Sequence, residues 1–381
     1  MDYPFPSPHL EMIKPSLIRS MAALRDEKTL DLGLGEPDLP LPLPLLEHAF
    51  QQLKNGPMGY TPNAGLPELR KAIALHLGLS ESEWERVIVT CGSAGALSSV
   101  VGALLGPGDE VLTPTPSYPA YADLIRMFHG HNKLLPLLDA GPHFLEALKK
   151  ATRPQTKGLI INSPVNPTGQ IFSTKTLEAI GAWAKQNNIW VISDEVYRTL
   201  ATDEFAPSLV EVFPDAFVVG GLSKSISMTG FRLGWALAPT SCVNAVCQIH
   251  RLTVTCAPRL SQLLALEVFK KPQDLNGHSQ VYAERRKQII QKCRELQLTF
   301  VRPEGAFYLW VDVRAYTENT LSFCQRLHEQ TSVLAIPGEA FGKQGQGFIR
   351  LSYAVSLDTF FEGLNRICHF MKQEKVTHAG E

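Results

Sequence analysis

The chain has 381 residues, enough for two to three domains of about 150 residues each and for a sizeable core. Thirty-six Lys and Arg against 37 Asp and Glu leave a formal net charge of -1, so neither nucleic acid nor an anionic membrane is expected as a partner. With 44% hydrophobic and 19% charged residues the composition is globular, and disorder is excluded for most of the length.

The N-terminal stretch MDYPFPSPHLEMIKP carries acid and prolines where a signal peptide would be basic and then apolar, so none is expected. Nowhere does an uncharged apolar run approach the ~18 residues of a membrane span. Seven scattered cysteines (Cys91, Cys242, Cys247, Cys256, Cys293, Cys324 and Cys368) form no CxxC pair. They read as reduced thiols of a cytoplasmic protein, with no disulfide frame and no metal site.

Between Pro37 and Pro44 the sequence PDLPLPLP holds four prolines and is expected to be an extended connector that cannot be helical. From Leu66 onward helical periodicity alternates with short β-branched runs. LPELRKAIALHLG reads as an amphipathic helix, ERVIVT as a strand, AGALSSVVGALLG as a small-residue helix and DEVLTP as a strand. At the first strand-to-helix junction, CGSAGAL sets free amides and the Ser93 hydroxyl where an anion can bind, a geometry that a simple serine cap would share. Cys91 occupies the place of the first glycine in a GxSxG elbow, and the spacing is not that of a dinucleotide GxGxxG. The next strand leads into PTPSYPAYADL, where Tyr118 can stack on an aromatic ring.

TKGLIIN, NNIWVISD and DAFVVGGL are strand-like, with the helix-like TKTLEAIGAWAKQ between the first two. Continuous apolar strands spaced by helices imply a mostly parallel sheet covered on both faces. After the first of these strands comes SPVNPTGQ, in which Pro164 and Pro167 fix a loop and Asn166 can offer its amide to a ligand. The second ends at Asp194, with Tyr197 three residues on. A carboxylate at a buried strand end needs a partner, and a protonated ring nitrogen is suitable; a helix cap is the plainer alternative. The third leads into GLSKSISMTGFRLGW, with Lys224 among small residues and Arg232 eight positions later. A lysine among serines is by itself an ordinary loop residue. An amine that can form a Schiff base beside a phosphate-clamping guanidinium, with Asp194 and Asn166 upstream, is what pyridoxal phosphate requires.

Past Ala238 the alternation stops. SCVNAVCQIHRL, RLSQLLALEVFK and HSQVYAERRKQIIQKCREL read as successive helices, GAFYLWVDV, SVLAIP and GFIRLSY as short strands, and LDTFFEGLNRICHFM as a closing helix. This suggests a smaller α+β domain. The expected organisation is an N-terminal segment, 1–25, packing on the small domain; a large domain, 26–245; the small domain, 246–372; and a polar tail, 373–381. Arg350 in GFIRLSY would, on its own, be read as a surface ion-pair residue. GEAFGKQ lacks the spacing and the Ser or Thr of a Walker A loop, and His129 and His131 have no further metal ligands nearby.

Taken in order, GYTPNAGLPELR, NPTG, DEVY, the lysine segment with Arg232, PEGAFYLW and FIRLSY make the chain resemble the class I and II aminotransferases, enzymes of pyridoxal-phosphate fold type I. The resemblance runs from about Ile13 to Met371. It implies an α/β fold: a large domain whose mostly parallel, mainly seven-stranded sheet is sandwiched by helices, and a smaller α+β C-terminal domain joined by the N-terminal segment. It implies ping-pong transfer of an amino group from an L-amino acid to a 2-oxo acid, with pyridoxal 5'-phosphate held as a covalent aldimine on Lys224. By the same resemblance Lys224 moves the proton at the substrate Cα, Asp194 pairs with the ring nitrogen, Tyr197 and Asn166 bond the phenolic oxygen, and Tyr118 stacks on the ring. Ser93, the Ala94 amide and Arg232 hold the phosphate, joined by Tyr60 from a neighbouring subunit, which implies a homodimer with shared sites. Arg350, helped by the Gly35 backbone and Asn166, receives the substrate carboxylate. A serine common in the family three residues before the lysine is Gly221 here, with Ser223 and Ser225 nearby. Carbon–sulfur lyases, aminocyclopropane-carboxylate synthases, decarboxylases and arginine-acting oxidases or cyclases carry similar motifs and form the alternative reading.

Overall fold

The computed structural model describes residue 13 and residues 15–137, 141–201 and 205–378, those at 272–276 and 375–378 by backbone alone. Most of the segment expected over 1–25 (residues 1–12 and 14) and the last three residues of the 373–381 tail lie outside the described residues.

Strands form where the sequence is β-branched and apolar. In chain order they are β1 (Leu30–Asp31), β2 (Val87–Cys91), β3 (Glu110–Thr115), β4 (His131–Pro136), β5 (Thr156–Asn162), β6 (Trp190–Asp194), β7 (Phe217–Gly221) and β8 (Leu233–Leu237), followed by β9 (Phe300–Val301), β10 (Tyr308–Asp312), β11 (Val333–Leu334), β12 (Ile336–Pro337) and β13 (Phe348–Ser352). Seven of them make the central sheet, in the order β2-β8-β7-β6-β5-β3-β4. All neighbours pair in parallel except β8, which is antiparallel to β2 and to β7. The mostly parallel seven-stranded sheet expected from the sequence is therefore present.

Alternation along the strands feeds three cores, one of them formed by Val87, Val89, Val218 and Leu233 with Leu69, Ile73 and Leu264. Val111, Ile160, Ile192 and Val219 face the helix Gly92–Leu104 and its neighbours. Leu112, Leu159, Ile161 and Val191 face the helices Pro142–Ala151 and Thr174–Asn187 with Phe144, Leu177 and Ile180. Burying one such Leu or Ile stabilises the fold by about 1.5–3 kcal/mol, so both faces must be covered, and the crossover helices do this. The parallel arrangement also gathers the carboxyl ends of β2, β7, β6, β5 and β3 along one edge of the sheet, where a doubly covered sheet presents its ligand loops.

A four-stranded sheet, β12-β13-β10-β9, builds a fourth core from Phe307, Trp310, Leu351 and Phe360, which Met21 and Leu32 join from the N-terminal end. The run SVLAIP breaks into two strands because its halves pair differently, β11 with β1 in parallel and β12 with β13 antiparallel.

Two sequence expectations need correction. The PDLPLPLP connector does not stay extended to Pro44, since a helix spans Leu43–Asn55 with Pro42 at its N-cap and Pro44 in its first turn. A first-turn proline lacks only an amide that would have no helical acceptor, so it starts a helix as readily as it stops one. The closing helix runs Leu357–His378, past Met371, so the polar tail begins as helix. β4 and β8 were also not named in advance: β4 is an edge strand with a polar, exposed face, and β8 lies inside the lysine segment.

Candidate active site

The loop after β7 carries Lys224 into the interior between the sheet edge and the four-stranded sheet. Its Nζ donates to the carbonyl of Gly35 at 2.7 Å. Burial lowers the amine to about 8; Glu36 opposes this, while the positive charges of Arg350 and Arg232 favour it. A lysine held near 8 is deprotonated often enough to act as a nucleophile or base close to neutral pH.

Asp194 ends β6 and is 4% exposed. One carboxylate oxygen accepts from the Tyr121 hydroxyl at 2.7 Å and the other from the Val196 amide at 3.3 Å. Burial nevertheless pushes its carboxyl up to about 6, because neither contact is a cation. Asn162, at the end of the adjacent β5, braces this point by donating its side-chain amide to the Asp194 carbonyl and accepting from the Asn166 backbone amide. The rings of Tyr118 and Tyr121 meet edge to face at 5.5 Å, so Tyr118 stands over the same spot.

Arg350, in β13, is 2% exposed. Its Nη1 donates to the Asn166 side-chain carbonyl at 3.1 Å and its Nη2 to the Gly33 carbonyl at 2.6 Å, while Nε has no hydrogen-bond partner. The guanidinium lies 4.4 Å from the Tyr308 ring centroid and 4.9 Å from that of Phe341. No ion pair to a carboxylate is found for it among the described residues. A buried cation with aromatic walls and an unused donor is arranged to receive an anionic ligand. Tyr197 donates or accepts across 2.8 Å with Tyr308, and burial pushes both hydroxyls upward, so they stay protonated.

At the other end, Ser93 and Ala94 open the helix Gly92–Leu104 at the end of β2, with first-turn amides that have no helical acceptor. Arg232 lies against this helix start: a Cβ on Gly92, which has φ +71°, would sit 2.6 Å from Arg232 Nη2. Arg232 itself adopts φ +52° and bonds the Thr229 carbonyl. Gly234 lets β8 pass beneath, since a Cβ there would stand 2.5 Å from the Ser93 amide nitrogen. Guanidinium and free amides thus converge on one point.

The structure brings Lys224, Arg232, Arg350, Asn166, Asp194, Tyr118 and Tyr197 into one connected cluster. Gly35 enters it through its carbonyl on Lys224, and the backbone contact of Arg350 falls two residues earlier, on Gly33. Tyr60 is elsewhere, 85% exposed at the surface, with its carbonyl held by Arg259 at 3.0 Å. Tyr121, Asn162 and Tyr308 were missed in the sequence. Only Asn162, a polar residue closing an apolar strand, left a signal there. A wide surface groove bounded by Glu284, Lys287, Arg302 and Phe361 shares no residue with the cluster.

Comparison with known proteins gives the family and the fold. The family profile for aminotransferase class I and II matches residues 27–367. An aspartate aminotransferase of Thermotoga maritima is 36% identical over 356 residues, covering 91% of this chain and 92% of that one. A putative aminotransferase of Bacillus subtilis is 34% identical, covering 96% and 98%. The solved structure of an aspartate aminotransferase from Thermus thermophilus with maleate superposes with a TM-score of 0.89 at 30% identity, covering 97% of this chain and 100% of that one. Fold and site therefore define a transferase that depends on pyridoxal phosphate to move amino groups. The chain belongs to the class I and II aminotransferases.

The residues present suit that cofactor. Asp194 is a buried carboxylate lacking a cation, which a ring N–H would supply, and Arg232 with the helix start forms an anion cradle that a Cβ on Gly92 would fill. Among the described residues no helix is long and apolar enough to cross a membrane, and no group of three metal-ligating side chains occurs.

Proposed function

We propose that this chain exchanges amino groups between an L-amino acid and a 2-oxo acid in a ping-pong cycle, with Lys224 as the residue to which pyridoxal phosphate is joined. The observation that carries the reading is Arg350: a buried guanidinium with an unpartnered Nε, held by the Gly33 carbonyl two residues from the Gly35 carbonyl that holds Lys224, whose amine is lowered to about 8. An α-amino acid presents the matching pair, a carboxylate for Arg350 and a Cα–H for Lys224.

When bound, pyridoxal phosphate supplies an electron sink for the carbanion left at the substrate Cα. Lys224 removes and returns the proton at that carbon. Asp194 would accept from the cofactor's ring N–H, Tyr197 and Asn166 would donate toward its phenolic oxygen, and Tyr118 would pack against its ring. Ser93, the Ala94 amide and Arg232 would hold its phosphate. Arg350, with Asn166 and the Gly35 backbone, orients the carboxylate so that the Cα–H faces Lys224. The reading takes a large cofactor unit from about 26 and a smaller unit up to about 372, with the site between them; the packing of Val246, Leu264, Ala265 and Val268 on the large sheet favours a boundary after Lys270 over one at 245. All seven cysteines are free, which fits a reducing, cytoplasmic setting. A homodimer in which Tyr60 serves the partner's phosphate completes the reading.

The test is a panel of amino acids offered singly to the holoenzyme while its absorbance is followed. Dicarboxylic acids come first, because several relatives are named aspartate aminotransferases. The expected result is a spectral change with the amino acid alone that reverts on adding a 2-oxo acid. Release of ammonia, carbon dioxide or peroxide without an acceptor would overturn it in favour of a lyase, decarboxylase or oxidase.

A further inference from the structure

Behind the lysine loop lies a small cavity lined by His76, Glu195, Arg198, Thr199, Gly220, Ser225 and Trp235, among others. Three of these are more than nine-tenths buried and have a polar side-chain atom with no hydrogen-bond partner: Thr199 Oγ1, Ser225 Oγ and Trp235 Nε1. A fourth donor, Arg198 Nη1, is also unpartnered, although Nε of the same side chain bonds the Ala206 carbonyl at 3.0 Å and Nη2 bonds Glu211 at 2.7 Å. Unpaired buried donors carry their full desolvation cost, and natural interiors leave very few. Four such groups and one unpartnered acceptor, Glu195 Oε2, around one cavity call for an occupant.

Its chemistry follows from the walls. The cavity offers about 20 Å³ of room for the centre of a water-sized particle, close to what one water needs and too little for an organic ligand. Trp235 Nε1 and Arg198 Nη1 can only donate, while the two hydroxyls donate or accept. A metal cation would face those two donors. An anion would face Glu195, whose carboxylate takes the Leu209 amide at 3.0 Å and sits 3.9 Å from Arg198 Nε. Arg198, already beside Glu195 and Glu211, has no charge left to balance an ion. A neutral molecule that both donates and accepts fits all four.

We propose that this cavity holds a single structural water that joins Ser225, the residue after Lys224, to Thr199 and Arg198 in the turn that follows Asp194, and to Trp235 in β8. The water makes Ser225 and Thr199 positioning residues. It fixes the lysine loop against the segment that carries Asp194, so that the amine keeps its distance from the ring nitrogen's partner. Gly220 is part of the construction, because a Cβ there would lie 2.5 Å from Trp235 Nε1 and close the space. The positioning role rests on the reading of Lys224 as the catalytic amine; the water does not.

A high-resolution crystal structure of the holoenzyme tests the site directly. Density for one water within hydrogen-bond distance of at least three of the four groups is expected. An empty cavity, or an anomalous peak there after a bromide soak, would overturn the proposal. In the double variant Ser225→Ala/Thr199→Val the water should be lost, backbone amide exchange over residues 222–226 should quicken, and kcat should fall about tenfold with KM unchanged, because a small displacement of the reacting amine acts on the chemical step. Thr199→Ser keeps the hydroxyl and should behave as the parent. Loss of the water with unchanged exchange and kcat would overturn the positioning role. If the double variant does not fold, Trp235→Phe, which removes one donor, must loosen the same loop for the proposal to stand. An inactive parent enzyme with the water in place would count against the catalytic reading alone.

Discussion

Asp194 is a carboxylate that the fold buries before any cation faces it, and this fixes the sign of its contribution to stability. Its folded pKa is raised from 3.8 to about 6 by burial, so folding favours the protonated form. The stability that protonation confers is full below 3.8 and is lost as pH rises through about 6. Asp194→Asn removes the charge while keeping an acceptor for Tyr121. Without cofactor the variant should therefore be more stable than the parent above the folded value, by up to about 3 kcal/mol, and should match it below the unfolded one. Urea unfolding of the cofactor-free proteins at the two ends of that range measures this, and parallel stability curves would refute it. The same change should weaken cofactor binding, since the ring N–H then meets an amide. Asp194 was legible in the sequence because an acid closing the apolar run VIS is chemically out of place. Its partner Tyr121 was not: a tyrosine on a helix carries no sign of which strand end its hydroxyl will reach. Tyr308 was hidden in the same way within an apolar strand: its contact with Arg350 exists only once β10 and β13 have paired, and that with Tyr197 only once the two sheets have met.

At the scale of elements, the stretch from Gly33 to Asp38 is a strap across the site. The carbonyl of Gly33 holds Arg350, that of Gly35 holds Lys224, and the Glu36 carboxylate accepts from the Thr229 hydroxyl. Its far end is clamped by Arg285 on the helix Pro272–Glu295, in a fork of 2.7 and 2.8 Å to Asp38, with the Tyr282 hydroxyl at 2.9 Å. The prolines announced an extended connector here, but not where it docks, because the docking residues lie some 250 positions away in the chain. They also hid the helix that follows, since a proline pattern reads alike at the end of a connector and in a first helical turn. Asp38→Asn should release one end of the strap. A part-buried bidentate pair is worth about 1 kcal/mol, so amide exchange over residues 34–42 should quicken about fivefold. Exchange in the helix Gly92–Leu104, which touches none of these groups, should not change. Equal quickening in both would mean that the clamp serves global stability and does not hold the strap.

The whole molecule has a surface that a single chain does not explain. Met58 is 72% exposed, Tyr60 85% and Leu252 69%, with Val254 at 43%. These residues lie on one face, because Arg259 binds the carbonyls of Gly59 and Tyr60 and Asn63 binds that of Thr255. A group of large apolar side chains exposed on one face is what an interface with a second copy would cover. A twofold homodimer would place each Tyr60 beside the partner's phosphate cradle, where its hydroxyl adds a donor to Ser93 and Arg232. The arrangement makes a prediction that no monomeric enzyme could meet. Lys224→Ala leaves Tyr60 intact and destroys the chain's own site, whereas Tyr60→Ala leaves Lys224 intact and damages the partner's. Unfolding and refolding a mixture of the two variants yields hybrids with one site carrying both lesions and one carrying neither. Random pairing makes half of the dimers hybrid, so the mixture should recover about a quarter of the parent activity per site, above the mean of the two variants measured apart. Recovery should be absent when the variants are mixed without refolding. Activity of the refolded mixture equal to that mean would place Tyr60 in its own chain's site or outside the chemistry altogether.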